Sequence, residues 1–281
     1  MLAPVGCPGA PTRRQDPTTR TCHFRALTVI IFIGEGSPQS PAPPILIHQS
    51  GEEINVTLVI GVNLGEYAVV AGDSRETVFT EVSAEVTAVE GFEKVRPTPV
   101  GLATGSGITR AVFGAIEDFT KDAAEVRDST FITDYLRDFM PAFVREASKR
   151  VTDPRLVPQL GRAGWILTSV ERGRLHVRLY HSDSAFSPDE LDEEAPLVLL
   201  PLDMTAKQSL PLELDLMNEL CACHSESTVA TSLGGNLAAI VRFFRRASAM
   251  SVHLGVGLQV GIHHRGGHVE VQPIRPLSDF A

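Results

Sequence analysis

Apolar and polar positions divide the chain into an unpatterned lead and a patterned body. Residues 1–50 are dense in Pro, Gly, Thr and Arg and sustain no helical period, so they read as a disordered extension, a propeptide, or translation upstream of the true start. The packed domain is expected over 54–281, leaving 1–53 as the extension. Two β-branched runs follow, 55–63 and 67–72, and the short Leu64-Gly65-Glu66 link makes them a hairpin. Strands are further expected at 85–89 and 100–104. Gly105-Ser106-Gly107 then reads as a turn that opens a helix, with Ile108, Ala111, Val112, Ala115, Ile116 and Phe119 at spacings of three and four.

A second helix is predicted over 131–149, with Leu136, Phe139, Met140, Phe143 and Val144 on one face and Pro141 marking a kink or break. Strands at 165–170 and 175–180 turn at Arg172-Gly173. Residues 182–211 are acidic and contain proline, which reads as a loop with one strand near 197–200. A third helix spans 225–248 on a stripe of Val229, Leu233, Leu237, Ile240, Val241 and Phe244. Strands at 254–263 and 268–273 close the chain around Gly266-Gly267. Hairpin-linked strands beside helices favour an α+β layered architecture over an alternating parallel sheet.

Charge narrows the function classes. The net charge is −9, with 43% hydrophobic and 21% charged residues, and no Lys/Arg stripe with interleaved aromatics appears. Nucleic acid therefore lacks its electrostatic footing as a partner. No apolar run reaches the length of a membrane span; residues 26–33 fall short of it. A signal peptide is a minority reading of that run, and a cytoplasmic setting is the default. Cys221-Ala222-Cys223-His224 reads as ordinary reduced thiols ahead of a metal corner, so no metal or cofactor is expected.

Residues 57–77, TLVIGVNLGEYAVVAGDSRET, carry the chemistry. They resemble the start of mature proteasome β-subunits and their bacterial homologues, members of the N-terminal-nucleophile hydrolase superfamily. There, an N-terminal threonine opens a strand with glycine fifth, and the hairpin returns into A-[AG]-D-[SG]-[RQ]-x-T. Thr57, Gly61 and Asp73-Ser74-Arg75 meet that pattern without a gap. The resemblance covers about 55–275, strongly in the first hairpin. Taken singly, Thr57 reads as strand filler and Asp73-Ser74-Arg75 as a turn; together they point to a site.

The resemblance implies a four-layer αββα sandwich and a threonine-type endopeptidase acting on peptides or unfolded proteins. It further implies a homo-oligomeric ring or helical assembly, in which the acidic 187–194 segment would decorate a rim or subunit contact, and it admits an ATPase partner. A threonine hydroxyl is a weak nucleophile until a base takes its proton. At a free N-terminus the residue's own α-amine serves, and a nearby Lys⁺ held by Asp favours the neutral amine. Asp73 would hold that lysine. The ungapped register lands on Gly91; extra residues in a turn at 77–83 bring in Lys94, which like its counterparts precedes an aliphatic residue. Arg75 belongs to the matched triplet, and Ser251 stands as a hydrogen-bonding partner of the amine. A backbone N–H of the Gly105–Gly107 turn would face the oxyanion. Gly255 and Gly257 stand for a Ser-Gly-Gly run that follows the third helix in relatives.

Self-processing relatives place glycine before the threonine, whereas Val56 stands here. Three readings stay open: an alternative start that exposes Thr57, an unprocessed and inactive scaffold, and a small-molecule amidase of the same fold.

Overall fold

The computed structural model of the protein describes residues 57–80, 83–107, 109–122, 129–149, 161–201, 204–251 and 253–280. The expected extension over 1–53, and Val56, lie outside them. In chain order the strands are β1 (Val59–Asn63), β2 (Tyr67–Asp73), β3 (Arg75–Thr80), β4 (Ser83–Glu90), β5 (Arg96–Thr98), β6 (Gly101–Gly107), β7 (Ala163–Glu171), β8 (Arg174–His181), β9 (Pro188–Glu190), β10 (Leu197–Leu199), β11 (Gly257–His264), β12 (Val269–Val271) and β13 (Arg275–Pro276). The helices among the described residues are α1 (Thr109–Asp122), α2 (Ser129–Ser148), α3 (Ala206–Glu219) and α4 (Val229–Ser248).

β1 is buried along its whole length, and its two faces have different neighbours. Leu58, Ile60 and Val62 join a core with Leu212 and Leu216 of α3 and Ile240, Phe243 and Phe244 of α4. Val59 faces the other way, clustering with Ile166, Val177 and Leu179 of β7 and β8. This period-two division places one sheet between a helical layer and a second sheet. The first sheet runs β10-β1-β2-β11-β12, with β13 also on β11; the second runs β5-β6-β7-β8-β9. Across the second sheet, Trp165 and Tyr180 pack with Phe119 of α1 and Leu136 and Met140 of α2. The result is the α+β, four-layer αββα sandwich. Gly61 explains how closely the sheets approach: a Cβ there would lie 2.5 Å from Ile166 Cγ2.

The structure departs from the sequence pattern in four places. The expected turn at 77–83 is instead a two-stranded hairpin, β3–β4, because the β-branched run through Thr80 continues as strand before reversing. Gly105, Ser106 and Gly107 are not a turn; they pair with Trp165, Gly164 and Ala163 in the ladder to β7, and α1 starts beyond them. The loop expected over 182–211 ends in α3, whose Leu212 and Leu216 are buried four residues apart. Gln208 Oε1 accepts the Thr205 N–H at 3.0 Å and tightens its start, and the helix continues through Pro211. Finally, of the kink or break expected at Pro141 the break does not occur, since α2 runs through it. The 187–194 segment contributes the edge strand β9 to the second sheet. No helix among the described residues is long and apolar enough to cross a membrane.

Candidate active site

Thr57 sits just ahead of β1 and is buried. Reciprocal bonds fix it beside the end of β2: the Leu58 N–H donates to Asp73 Oδ1 at 2.9 Å, and the Asp73 N–H donates to the Leu58 carbonyl at 3.1 Å. Lys94 approaches from the segment before β5. The Val95 N–H anchors that segment by donating to Gln259 Oε1 of β11 at 2.7 Å. The lysine stem then crosses β2 at Gly72, where a Cβ would lie 3.0 Å from Lys94 Cβ. Lys94 Nζ donates to Asp73 Oδ1 at 2.7 Å and to Thr57 Oγ1 at 3.3 Å. The three expected residues, Thr57, Asp73 and Lys94, therefore meet at one point.

The pair is enclosed, at 1% side-chain exposure for Lys94 and 0% for Asp73. Removing two charges from water is unfavourable by several kcal/mol per ion, roughly, and attraction offsets it only when the remaining polar atoms are bonded. Asp73 meets that condition. Oδ1 accepts from Leu58 N–H and Lys94, and Oδ2 accepts from the N–H groups of Arg75 at 3.1 Å and Gly255 at 3.0 Å. Burial pushes the Lys94 ammonium below its usual value, and Asp73, Glu76 and Glu90 pull it back up. Half-buried Glu76 is raised in turn by its own desolvation, with Lys94 acting against the rise. A lysine held this way shares its proton more readily than one in water, and it lies within reach of the threonine oxygen.

The other candidates are distributed less tightly. The Arg75 guanidinium reaches Glu90 Oε1 at 2.6 Å, while its backbone N–H serves Asp73. Ser251 is buried in the segment after α4 and accepts the His253 N–H on Oγ at 3.3 Å. Four residues later the same segment supplies the Gly255 donor to Asp73. Gly105, Ser106 and Gly107 lie in the β6–β7 ladder rather than in a glycine turn. Three residues escaped the sequence reading: Glu76, Glu90 and Gln259. Nothing in their local pattern distinguishes them, because their partners come from strands distant in sequence.

No family model matches the chain, and no curated protein matches it. Solved structures do. An Anbu (Gly-1) mutant from Hyphomicrobium sp. strain MC1 aligns with a TM-score of 0.51 at 12% identity, covering 79% of this chain and 86% of that one. Anbu from the same strain aligns at 0.50 and 12% identity, covering 78% and 87%. Anbu (ancestral beta-subunit) from Yersinia bercovieri aligns at 0.50 and 10% identity, covering 78% and 86%. These neighbours correct the resemblance drawn from the first hairpin: the likeness is to Anbu structures, and membership among proteasome β-subunits or their bacterial homologues is not supported. At such identity the likeness concerns the fold alone, and that fold is the proteasome-like sandwich of the N-terminal-nucleophile hydrolases.

Proposed function

We propose that the protein is a threonine-type peptidase whose nucleophile is Thr57 Oγ1. The observation that carries this reading is the buried Lys94 Nζ, shared between Asp73 Oδ1 at 2.7 Å and Thr57 Oγ1 at 3.3 Å. With Thr57 as first residue, its α-amine, ordinarily titrating at roughly pH 7.7–8.0, takes the hydroxyl proton. The oxygen attacks the substrate amide carbon, the C–N bond breaks, and the departing amine carries that proton away. Water then hydrolyses the resulting ester and restores Thr57. Lys94 faces the oxygen as it becomes negative, Asp73 fixes Lys94, and N–H groups near Gly105–Gly107 would serve the carbonyl oxygen. Arg75 and Ser251 act in support, the former through its N–H to Asp73.

Peptides or unfolded proteins are the proposed substrates, with sequestration in a homo-oligomeric ring or helix, an ATPase partner and a cytoplasmic setting as parts of the same reading. The fold shared with Anbu supports the homo-oligomeric part of this reading. One observation favours a second reading, an inactive scaffold: β-branched Val56 stands where self-cleavage requires easy access to the preceding carbonyl. Intact-mass measurement on protein from its native host, paired with fluorogenic-peptide assays of Thr57→Ala, separates the two. The peptidase reading expects Thr57 as first residue and hydrolysis lost in the variant. A chain that keeps residues 1–56 and hydrolyses nothing is the scaffold, and turnover of short amides alone marks an amidase.

A further inference from the structure

Glu90 ends β4 directly opposite Arg75, and both its oxygens are engaged. Ser74 Oγ donates to Oε2 at 2.9 Å and Arg75 Nε donates to Oε1 at 2.6 Å. A serine hydroxyl has one proton, so donating it to Glu90 directs its lone pairs elsewhere. They accept the Gly257 N–H at 3.1 Å, while the Ser74 N–H donates to the Gly257 carbonyl at 3.0 Å. Two residues before Gly257, the Gly255 N–H reaches Asp73 Oδ2, which also accepts from Arg75 N–H. Both donors on Oδ2 thus come from segments that Glu90 ties together: Arg75 directly, and Gly255 through Ser74 and Gly257. The clamp leaves no room for a side chain at Gly255, whose Cβ would lie 2.7 Å from Arg75 N and 3.0 Å from Glu90 Oε2.

We infer that Glu90 is a positioning residue: by binding Ser74 and Arg75 together it locks the two N–H groups on Asp73 Oδ2 and so sets Lys94 in place beside Thr57. Its meaning for chemistry rests on the proposed role of Thr57; its geometry does not. Bonds carry more of the effect than charge: the Glu90 carboxylate also raises Lys94, but it is the last of the causes, and at 41% side-chain exposure water screens its field.

Lys94 itself is the reporter. The chain has four lysines, Lys94, Lys121, Lys149 and Lys207, so full-length protein labelled with [13Cε]lysine resolves each titration, with Lys94→Arg identifying the Lys94 signal. In Glu90→Ala the hold on Asp73 loosens and the Lys94 midpoint drops by about one pH unit, since attraction to Asp73 is what opposes burial. Ser74→Ala, which keeps the Glu90 charge, reproduces most of that shift. Glu90→Gln, which keeps an acceptor for Ser74, shows less than half of it. The three other lysines do not move. An unmoved or raised Lys94 midpoint in Glu90→Ala overturns the inference. So does an equal drop in Glu90→Ala and Glu90→Gln with Ser74→Ala unchanged, which is the signature of charge alone. Should Glu90→Ala fail to fold, Ser74→Ala against Glu90→Gln decides by the same criteria. Lys94 titrates whether or not Thr57 reacts, so this result and the activity of Thr57→Ala fail independently.

Discussion

Buried polar groups sit near both ends of the β2–β11 pairing, and the two ends handle burial in opposite ways. Where Asp73 lies opposite Leu258, a full ion pair is enclosed and every carboxylate lone pair is directed at a donor. Toward the other end, where His263 lies opposite Ala68, burial is met by neutralisation. His263 is enclosed between the sheets, its Nδ1 pairs with Thr168 Oγ1 at 2.7 Å, and desolvation followed by the nearby His264 lowers its pKa to about 4. Four converging donors are an expensive arrangement for stability alone, when a neutral pair does the same work at the far end. On the proposed function the charged end serves chemistry, while the neutral end joins the two sheets through His263 and Thr168.

The largest expected effect breaks the charged end. Lys94→Met leaves Asp73 buried without its counter-ion, and urea unfolding should show a loss of about 3–5 kcal/mol. Adding Asp73→Asn to that variant should restore a substantial part. A loss under about 1 kcal/mol would show that the pair is solvated and the comparison wrong.

Acid sharpens the neutral end. The folded-state His263 pKa of about 4 lies below its ordinary 6.5, so between those values the unfolded chain binds a proton that the folded chain does not. Stability falls as pH drops through that window, by about 3 kcal/mol in total, and the loss levels off below it. His263→Gln should flatten this part of the wild-type curve. Lys94 has the same sign in a different window: its pKa is lowered from 10.5, so stability rises as pH climbs from the folded-state value towards 10.5. His263→Gln should therefore flatten the acid side of the curve, and Lys94→Met should remove the rise on the alkaline side. Coincident curves would remove the distinction. Thr168→Val is the smallest change, removing the partner of His263 Nδ1 together with the acceptor of the Leu102 N–H, and should cost about 1–3 kcal/mol by thermal or urea unfolding.

What was legible in the sequence follows from how local each signal is. Thr57, Gly61 and Asp73 are carried on one hairpin whose register fixes their spacing, so a linear motif captures them. Lys94 was visible only through its own identity and the aliphatic residue after it. Its register depended on the length of the β3–β4 hairpin, which alternation alone does not set. α3 escaped because acidic positions and Pro211 obscured a stripe of Leu212, Leu216 and Leu220 that becomes apolar only against the first sheet. Gly105–Gly107 looked like a turn because glycine clusters punctuate loops; here the small residues admit Val112 and the Gly164 carbonyl beside Gly105. Glu90 and Gln259 acquire their roles from cross-strand partners, which no local pattern announces.

The central claim, that Thr57 Oγ1 is the nucleophile beside a buried Lys94–Asp73 pair, is tested most directly by trapping it. The protein is treated with a peptide vinyl sulfone and the adduct is located by tandem mass spectrometry. A single adduct on Thr57, absent in Lys94→Met, is the predicted result. An adduct on another residue, or none on Thr57 while a fluorogenic peptide is turned over, would contradict it.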